Sequence, residues 1–251
     1  MVDMGFLRAL SFLTRLPIFT KVHIDEYSLA KSVFFFPVVG MLIGFILGCL
    51  DILSGYILYD AVRNVFLIIV YILITGGLHL DGLADTIDGI FGGHTKEKML
   101  AIMRDSRMGT FGAIALFSAL LLKFSLFISL PDKIRFQAIV LAPIISRWIM
   151  VAAIAFFPYA REGEGKGKAF ADYTGTYDFI LSSFLPIVVS FILAKGFGLL
   201  AVCLTFLAAI PFMLYINSKI KGMTGDTYGA VNEMAELLFL IVFSVICKVI
   251  A

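Results

Sequence analysis

Three aspartates follow a long apolar segment of the chain at helical spacing. Asp81, Asp85 and Asp88 occupy positions i, i+4 and i+7, which at about 100° per residue fall within an arc of about 60° on one helical face. Like charges at this spacing repel one another, so a counter-cation would stabilise the face. Oxygen-only ligands favour a hard divalent ion such as Mg²⁺ or Mn²⁺ over zinc. The spacing therefore predicts a metal site suited to phosphate groups.

Other residues of the same stretch also fit a phosphate site. Asp105 adds a fourth carboxylate, and Arg104 and Arg107 carry planar guanidinium groups that suit phosphate oxygens. The alternative is a solvated helix face without a ligand, which is the usual role of carboxylates at this spacing in soluble proteins. The position of the acids directly after an apolar span favours a function, because charge beside a membrane is costly.

The composition predicts a polytopic membrane protein. Hydrophobic residues make up 61% of the 251 residues, charged residues make up 15%, and the mean hydropathy is +1.01. These values lie outside the range of soluble globular proteins. The net charge of +2 and the lack of a basic run give no indication of nucleic-acid binding. The length fits one integral membrane domain over residues 1–251.

Apolar segments of nearly the length needed to cross a bilayer predict an all-α bundle of about seven transmembrane helices. They lie at 33–50, 62–80, 111–130, 136–158, 179–193, 196–216 and 235–250. Only Ala194 and Lys195 separate the fifth from the sixth, so these two form a tight hairpin or are miscounted. Residues 6–16 predict a further helix in the membrane interface, where Arg15 either reaches a ligand or snorkels to lipid phosphates.

The distribution of Lys and Arg predicts the orientation of the bundle. Most basic residues fall on cytoplasmic segments if the N-terminus is inside, as the positive-inside rule requires. The loops 79–110, 159–177 and 217–234 then emerge together on the cytoplasmic side. Their polar residues are therefore expected to converge at one site that faces the cytoplasm.

Polar residues at four other places enter the prediction. If the last helix begins near Asp226, the free amide groups and the positive dipole end of that helix favour the binding of an anion there. Gly225 and Gly229 leave space for such a ligand because they have no side chain. Asp226 is then a helix cap, a metal ligand or both. Arg147 lies within the fourth predicted span, where its partner is a structural carboxylate or, as we favour, an anionic ligand. Lys123 is expected to snorkel from its span, and 161–168 to form a flexible loop or a lid.

Six motifs occur in order along nearly the whole chain. They are FLTRLP at 12–17, FFPVVGMLIG at 35–44, HLDGLADTIDGIFGG at 79–93, IMRDSRMGTFG at 102–112, SRW at 146–148 and GMTGDTYGAVNE at 222–233. Each motif is weak alone, but together they closely resemble the cobalamin synthase family, also called adenosylcobinamide-GDP ribazoletransferases.

The resemblance implies an integral enzyme of the prokaryotic cytoplasmic membrane. Such an enzyme joins adenosylcobinamide-GDP to α-ribazole or α-ribazole 5′-phosphate, gives adenosylcobalamin or its 5′-phosphate, releases GMP and requires Mg²⁺. Membrane lipid, a second copy of the chain and other cobamide assembly enzymes are further expected partners. The acidic positions that the resemblance carries over are Asp81, Asp85, Asp88, Asp105, Asp226 and Glu233.

The resulting hypothesis is phosphoryl transfer at a site with one or two Mg²⁺ ions. Asp85 or Asp88 is expected to accept the proton of the attacking ribazole hydroxyl, and Arg104, Arg107 and Arg147 to stabilise the developing charge. The alternative is a secondary transporter that binds an ion or solute with the same carboxylates. The position of the acids at the end of a span, without an internal repeat, favours the enzyme.

Overall fold

The structure, a computed structural model, describes residues 4–17, 25–162 and 166–250. This part of the chain is helical and contains no β-strand, which confirms the predicted all-α class. A 3₁₀ turn at Ser32–Phe35 connects the second helix to the third. The helices are α1 (Met4–Leu13), α2 (Glu26–Lys31), α3 (Phe36–Gly55), α4 (Asp60–Thr75), α5 (Leu78–Gly92), α6 (Lys96–Ile102), α7 (Thr110–Ser129), α8 (Asp132–Phe156), α9 (Lys166–Tyr173), α10 (Thr176–Ile220) and α11 (Gly225–Ile250).

The helices include enough long apolar segments for a membrane bundle. Among the described residues, five helical segments are long and apolar enough to cross a membrane: Glu26–Gly55, which joins α2 to α3, and α7, α8, α10 and α11. Helices α4 and α5 are bent by 88° relative to each other, but together they are also long and apolar enough to cross a membrane. Counting this pair as one segment raises the number to six. Helix α1 is apolar but too short to cross. The predicted polytopic bundle with a short N-terminal apolar helix is confirmed.

Helix α10 is a hairpin of two helices. Within its 45 residues, Lys195 has a φ of 51° and a ψ of −139°. These angles are not helical, so the helix is interrupted at this residue. The ring centroids of Phe179 and Phe206 lie 6.0 Å apart, whereas a continuous helix would separate these residues by about 40 Å at about 1.5 Å per residue. Both rings also contact Trp148 of α8. The seven predicted segments are recovered when this hairpin counts as two crossings and the bent pair as one.

The second predicted span, 62–80, is wrong at its C-terminal end. Helix α4 stops at Thr75 because Gly76 and Gly77 adopt left-handed φ values of 64° and 69°, which glycine reaches at no steric cost. The chain continues at 88° as α5. Helix α5 therefore turns away from the direction of α4 and lies across the end of the bundle.

The centre of the bundle is α8. In its most apolar window, 89% of the residues are buried inside the protein. Three glycines of α3, Gly40, Gly44 and Gly48, lie one turn apart on the face toward α8. A Cβ at Gly40 or Gly44 would overlap the carbonyl oxygen of Pro143 or Val140, respectively. Small residues at this spacing let two membrane helices approach closely and pack by van der Waals contact.

Ion pairs close the end of the bundle away from α5. Asp51 near the end of α3 accepts hydrogen bonds from Arg63 Nη2 at 2.5 Å and from Arg135 Nη2 at 2.7 Å. Arg135 also donates to Asn64 Oδ1 at 2.6 Å. These charges satisfy one another and fix the ends of α3, α4 and α8. The aspartates of α5 lie at the opposite end.

Candidate active site

The candidate site is formed by α5 and the first turns of α11, which cross in direct contact. A Cβ at Gly82 would lie 2.6 Å from the backbone oxygen of Asp226, and a Cβ at Gly229 would lie 3.2 Å from the Cα of His79. Only glycine permits backbones to approach so closely. The contact brings Asp81 of α5 and Asp226 of α11 to the lining of one cavity, here called the α5–α11 cavity.

The α5–α11 cavity has a volume of about 170 Å³ and is mostly apolar. Phe12, Phe36 and Phe170 form an aromatic wall, in which the ring of Phe170 lies 5.0 Å from that of Phe12 and 5.6 Å from that of Phe36. This wall joins α1, α3 and α9. Further lining residues are Leu78, His79, Asp81, Gly82, Met150, Ile154, Gly167, Gly225, Asp226, Tyr228 and Gly229.

Asp85 lies where several carboxylates converge. Burial raises the pKa of its carboxyl to about 7, and the negative charges of Asp81, Asp226 and Asp88 add to the effect, whereas the Arg161 guanidinium opposes it. Such a group of like charges would be stabilised by a cation. In the part of the chain that the structure describes, no three His, Cys, Asp or Glu side chains are arranged to hold a metal ion together.

Asp226 is not the cap of α11. Thr224 and Thr227 perform this role, because the Thr224 N–H donates to Thr227 Oγ1 at 2.7 Å and the Thr227 N–H donates to Thr224 Oγ1 at 3.3 Å. Asp226 instead accepts a hydrogen bond from Arg161 Nη2 at 2.6 Å through Oδ2. The prediction of Asp226 as a helix cap is therefore wrong, and Asp226 is a lining residue of the cavity.

Asp88 is engaged by the backbone of another helix. Its carboxylate accepts hydrogen bonds from the N–H groups of Gly109 at 2.7 Å and Gly112 at 2.8 Å, and the residue is only 7% exposed. These amides belong to the first turn of α7, where a negative charge is favourable. Asp88 thus satisfies a helix N-terminus, in contrast to the metal ligand or base expected from its spacing.

Asp105 and Arg107 pair with each other on the surface. Arg107 Nη2 lies 2.6 Å from Asp105 Oδ2, and the Arg107 side chain is 87% exposed. Hydrogen bonds from Arg107 lower the pKa of Asp105 to about 2. Neither residue lines the α5–α11 cavity. Arg104, by contrast, lines an open cleft of about 370 Å³ together with Arg161.

Arg147 and Glu233 belong to a buried charge network within the bundle, made up of Tyr71, Lys123, Arg147, Glu233 and Glu236. Lys123 Nζ lies 2.9 Å from both Glu233 Oε2 and Glu236 Oε1, and Arg147 Nη1 lies 3.6 Å from Glu236 Oε2. Tyr71 donates to Glu236 and accepts from Arg147. The structure thus gives Arg147 a carboxylate as partner, Lys123 does not snorkel, and Glu233 is paired with a lysine away from the cavity.

The remaining predicted residues divide between the cavity and its surroundings. Gly225 and Gly229 line the cavity. Arg15 is exposed, and it packs beside Gly76, where an added Cβ would lie 2.5 Å from Arg15 Nε. Of the predicted loop at 161–168, residues 163–165 lie outside the described residues, and α9 begins at Lys166.

Replacing Gly82 with alanine tests the contact between α5 and α11. The new Cβ meets the Asp226 backbone, so α5 must shift, and we expect kcat to fall about tenfold to a hundredfold because small displacements of catalytic groups are costly. Gly196→Ala is the matched control, since its Cβ meets nothing within 4 Å. Equal turnover of the two variants in a product-release assay would contradict the assigned contact.

The fold and the site together define a class of protein. The chain is an integral membrane helical bundle with a partly buried acidic site at one end, beside an aromatic-lined cavity and an arginine-containing cleft. Such a site is suited to a substrate with an anionic group and an apolar or aromatic group.

Comparison with known proteins identifies the family. A sequence model of the family Cobalamin-5-phosphate synthase matches residues 5–244. The adenosylcobinamide-GDP ribazoletransferase of Fusobacterium nucleatum is 41% identical over 272 residues, which cover 96% of this chain and 97% of that protein. Proteins of the same name from Acetivibrio thermocellus and Clostridium novyi are 39% and 36% identical over 92% of this chain and over 94% and 93% of their own. No solved structure matches the chain significantly.

The chain therefore belongs to the cobalamin-5-phosphate synthase family, as its motifs indicated. It is an enzyme of cobalamin synthesis, and this assignment decides against the transporter alternative.

Proposed function

We propose that the α5–α11 cavity and its carboxylates form the active site of an Mg²⁺-dependent ribazole transfer at the cytoplasmic face of the cytoplasmic membrane. As a member of its family, the chain is an adenosylcobinamide-GDP ribazoletransferase. It joins adenosylcobinamide-GDP to α-ribazole or its 5′-phosphate and releases GMP. We place the active site at this cavity because Asp81 and Asp226, from two different helices, both line it and lie near Asp85.

The donor atoms at this site fit magnesium. All are carboxylate oxygens, and Mg²⁺ is commonly held by one or two carboxylates together with waters and substrate phosphates. Asp81 and Asp226 would be these ligands, because both line the cavity. Arg161 contacts Oδ2 of Asp226, so Oδ1 would be the atom that reaches the ion. Bound there, the ion would neutralise charge on the diphosphate of the donor substrate.

Asp85 is the residue best placed to act as the general base. Its pKa of about 7 means that the carboxylate binds a proton more tightly than an ordinary aspartate, as a base working near neutral pH requires. It would accept the proton of the ribazole hydroxyl as that oxygen attacks the phosphorus attached to cobinamide. A new P–O bond forms, the bond to the GMP phosphate breaks, and GMP leaves.

Arginines beside the carboxylates would bind the leaving group. Arg161 reaches the site through Asp226, and Arg104 lines the same open cleft as Arg161. Guanidinium groups bind phosphate oxygens in a planar, bidentate geometry and stay charged. These two residues take the role expected of Arg104, Arg107 and Arg147 from the sequence.

The location at the cytoplasmic face rests on the distribution of basic residues. Helix α5, the segment after α8 and the start of α11 meet at one end of the bundle, because Gly82 packs on the Asp226 backbone and Arg161 pairs with Asp226. The segments 79–110, 159–177 and 217–234 contain nine of the 20 Lys and Arg residues, and the positive-inside rule assigns such segments to the cytoplasm. Lipid would cover exposed apolar side chains such as Phe117 and Phe184.

Metal removal tests the proposal directly. Purified protein should release GMP from adenosylcobinamide-GDP and α-ribazole when Mg²⁺ is present, stop when EDTA removes the ion, and recover when Mg²⁺ is restored in excess. Mn²⁺ should substitute, because it accepts the same oxygen ligands. Full GMP release in EDTA would show that the metal assignment is wrong while leaving the transferase assignment intact.

A further inference from the structure

The α5–α11 cavity contains two buried polar groups that the proposed chemistry does not use. They are Nε2 of His79 and the hydroxyl of Tyr228, and each residue is only 3% exposed. Neither atom has a hydrogen-bond partner among residues 4–17, 25–162 and 166–250. Both residues line the cavity. A buried polar group without a partner is costly, so such a pair in one cavity indicates a ligand that completes their hydrogen bonds.

The hydrogen on His79 is positioned by a neighbour. Asn232 Nδ2 lies 2.9 Å from His79 Nδ1, and in this arrangement the amide donates and Nδ1 accepts. The ring hydrogen then resides on Nε2, which is the orphaned atom at the cavity. His79 therefore offers a fixed N–H donor, and the ligand must present an acceptor to it.

The rest of the lining selects an aromatic ligand. The wall of Phe12, Phe36 and Phe170, with Met150 and Ile154, offers apolar and ring surface on several sides. Engineered apolar cavities of about 150 Å³ accept benzene, so a partly open cavity of about 170 Å³ suits a small aromatic ring system. Asp81 and Asp226 line the same cavity, so a bound ring system would lie beside the carboxylates where the reacting group is expected.

We infer that the α5–α11 cavity is the subsite for the aromatic base of the acceptor nucleoside, and that His79 Nε2 and the Tyr228 hydroxyl are the groups that recognise it. The inference rests on the proposed function. Ribazole carries a methylated benzimidazole, whose single free ring nitrogen is a hydrogen-bond acceptor on an otherwise apolar bicycle. That nitrogen accepts from His79, and the Tyr228 hydroxyl bonds to the ribose side of the nucleoside.

The guanine of the donor substrate fits the cavity less well. Its edge carries several donors and acceptors, and two orphaned groups would leave most of them unpaired in an apolar lining, at a considerable cost. The open cleft with Arg104, Arg161, Lys96 and Glu97 provides more polar partners for a nucleotide. The two substrates are thereby assigned to opposite sides of the carboxylates.

Steady-state kinetics of the purified full-length protein test the inference. We expect Tyr228→Phe to raise KM for α-ribazole about 3–10-fold and His79→Leu about 10–30-fold, with KM for adenosylcobinamide-GDP unchanged, because each variant removes one hydrogen bond to the base or its ribose. His79→Gln, which keeps an N–H donor, should recover part of the loss. Tyr177→Phe and His94→Leu are matched controls at exposed positions and should behave as wild type.

An analogue of α-ribazole with an indole in place of the benzimidazole separates recognition from general damage. It lacks the acceptor nitrogen, so wild type should bind it about 10–30-fold more weakly than α-ribazole, whereas His79→Leu should hardly distinguish the two. Binding is measured by quenching of benzimidazole or indole fluorescence without the donor substrate, and a melting curve of each variant shows whether it is folded.

The outcomes are distinct. An unchanged KM for α-ribazole in both variants, or an increase in KM for adenosylcobinamide-GDP alone, would overturn the inference while GMP release by wild type upholds the proposed function. Absence of GMP release by wild type would instead contradict the proposed function. The fluorescence measurement still tests the base subsite in that case. If His79→Leu weakens the binding of α-ribazole and of the indole analogue by the same factor, the inference is overturned.

Discussion

Asp85→Asn lowers the rate of GMP release by about 10²–10⁴-fold, the usual contribution of a positioned general base. The variant keeps the volume of the side chain and removes its basicity. Asp85 is half-buried near Asp81, Asp226 and Asp88, and burial together with these negative charges raises the pKa of its carboxyl to about 7. Rates are measured with both substrates saturating and with excess Mg²⁺, so that weaker binding does not imitate slower chemistry. Turnover within threefold of wild type would remove Asp85 from the mechanism.

The same variant has an opposite effect on stability, which serves as its internal control. The pKa of Asp85 rises from an ordinary 3.8 to about 7 on folding, so the folded protein prefers the protonated form. This preference costs almost nothing below about pH 3, where both states are protonated, and it destabilises the fold increasingly as the pH rises to about 7. In EDTA at pH 8, Asp85→Asn should therefore melt at a higher temperature than wild type, and below about pH 3 the difference should vanish. Asp132→Asn, at an exposed position on the opposite end of the bundle, should change neither property.

The spacing of the aspartates predicted that they share one helical face, but it did not predict that they have different interaction partners. Helix α5 does contain Asp81, Asp85 and Asp88, as periodicity required. Which carboxylate remains available depends on the neighbouring helices, because the first turn of α7 engages Asp88 through Gly109 and Gly112. A hydrogen bond between two different helices cannot be predicted from the periodicity of the sequence. Spacing could identify the helix but could not separate Asp85 from Asp88.

The bend between α4 and α5 was indicated by two consecutive glycines, which an average of hydropathy over the segment does not detect. Gly76 and Gly77 form a glycine pair inside the segment predicted as 62–80, and both adopt left-handed conformations. A hydropathy average treats glycine as nearly neutral, so the apolar run appeared to continue. Glycine pairs deserve weight as helix stops even where the segment is apolar.

Residues that proved important beyond the acids were of two kinds. Arg161 follows α8 on the same side of the bundle as the aspartates, and its position there was a usable signal. His79 and Tyr228 were recognisable only after the fold placed them in one cavity, because each lies in a run of mostly apolar or small residues. The sequence thus indicated the carboxylates of the proposed site more readily than His79 and Tyr228, the proposed recognition groups.

The buried charge network is expected to dominate the stability of the bundle. Lys123 contacts both Glu233 and Glu236, and with Arg147 it balances two anions by two cations inside the membrane-spanning helices. Lys123→Met leaves two buried carboxylates with one arginine. Breaking a buried pair by removing one partner costs about 3–5 kcal/mol, since the remaining charge stays desolvated. We expect a loss of this size in the free energy of unfolding, measured by titrating SDS into mixed micelles.

A double variant separates the loss of an attraction from the presence of an unpaired charge. Lys123→Met with Glu233→Gln removes one partner of each sign and leaves the pair of Arg147 and Glu236, which lie 3.6 Å apart. If the unpaired carboxylate causes the loss, the double variant should be more stable than Lys123→Met by at least about 1 kcal/mol, despite carrying a second substitution. Lys248→Met, at an exposed position, is the control and should cost little. A double variant less stable than Lys123→Met would instead show that the pair contributes chiefly through its own attraction.

The network lies beside the proposed active site, so we expect the same variants to affect catalysis. Arg147 shares a face of α8 with Met150 and Ile154, three and seven residues further along, and both of these line the α5–α11 cavity. A network that relaxes would shift this face and the wall of the cavity with it. Lys123→Met should therefore raise KM for α-ribazole more than KM for adenosylcobinamide-GDP, and the double variant should reverse this change in step with its stability. Recovery of stability without recovery of KM would separate the network from the cavity.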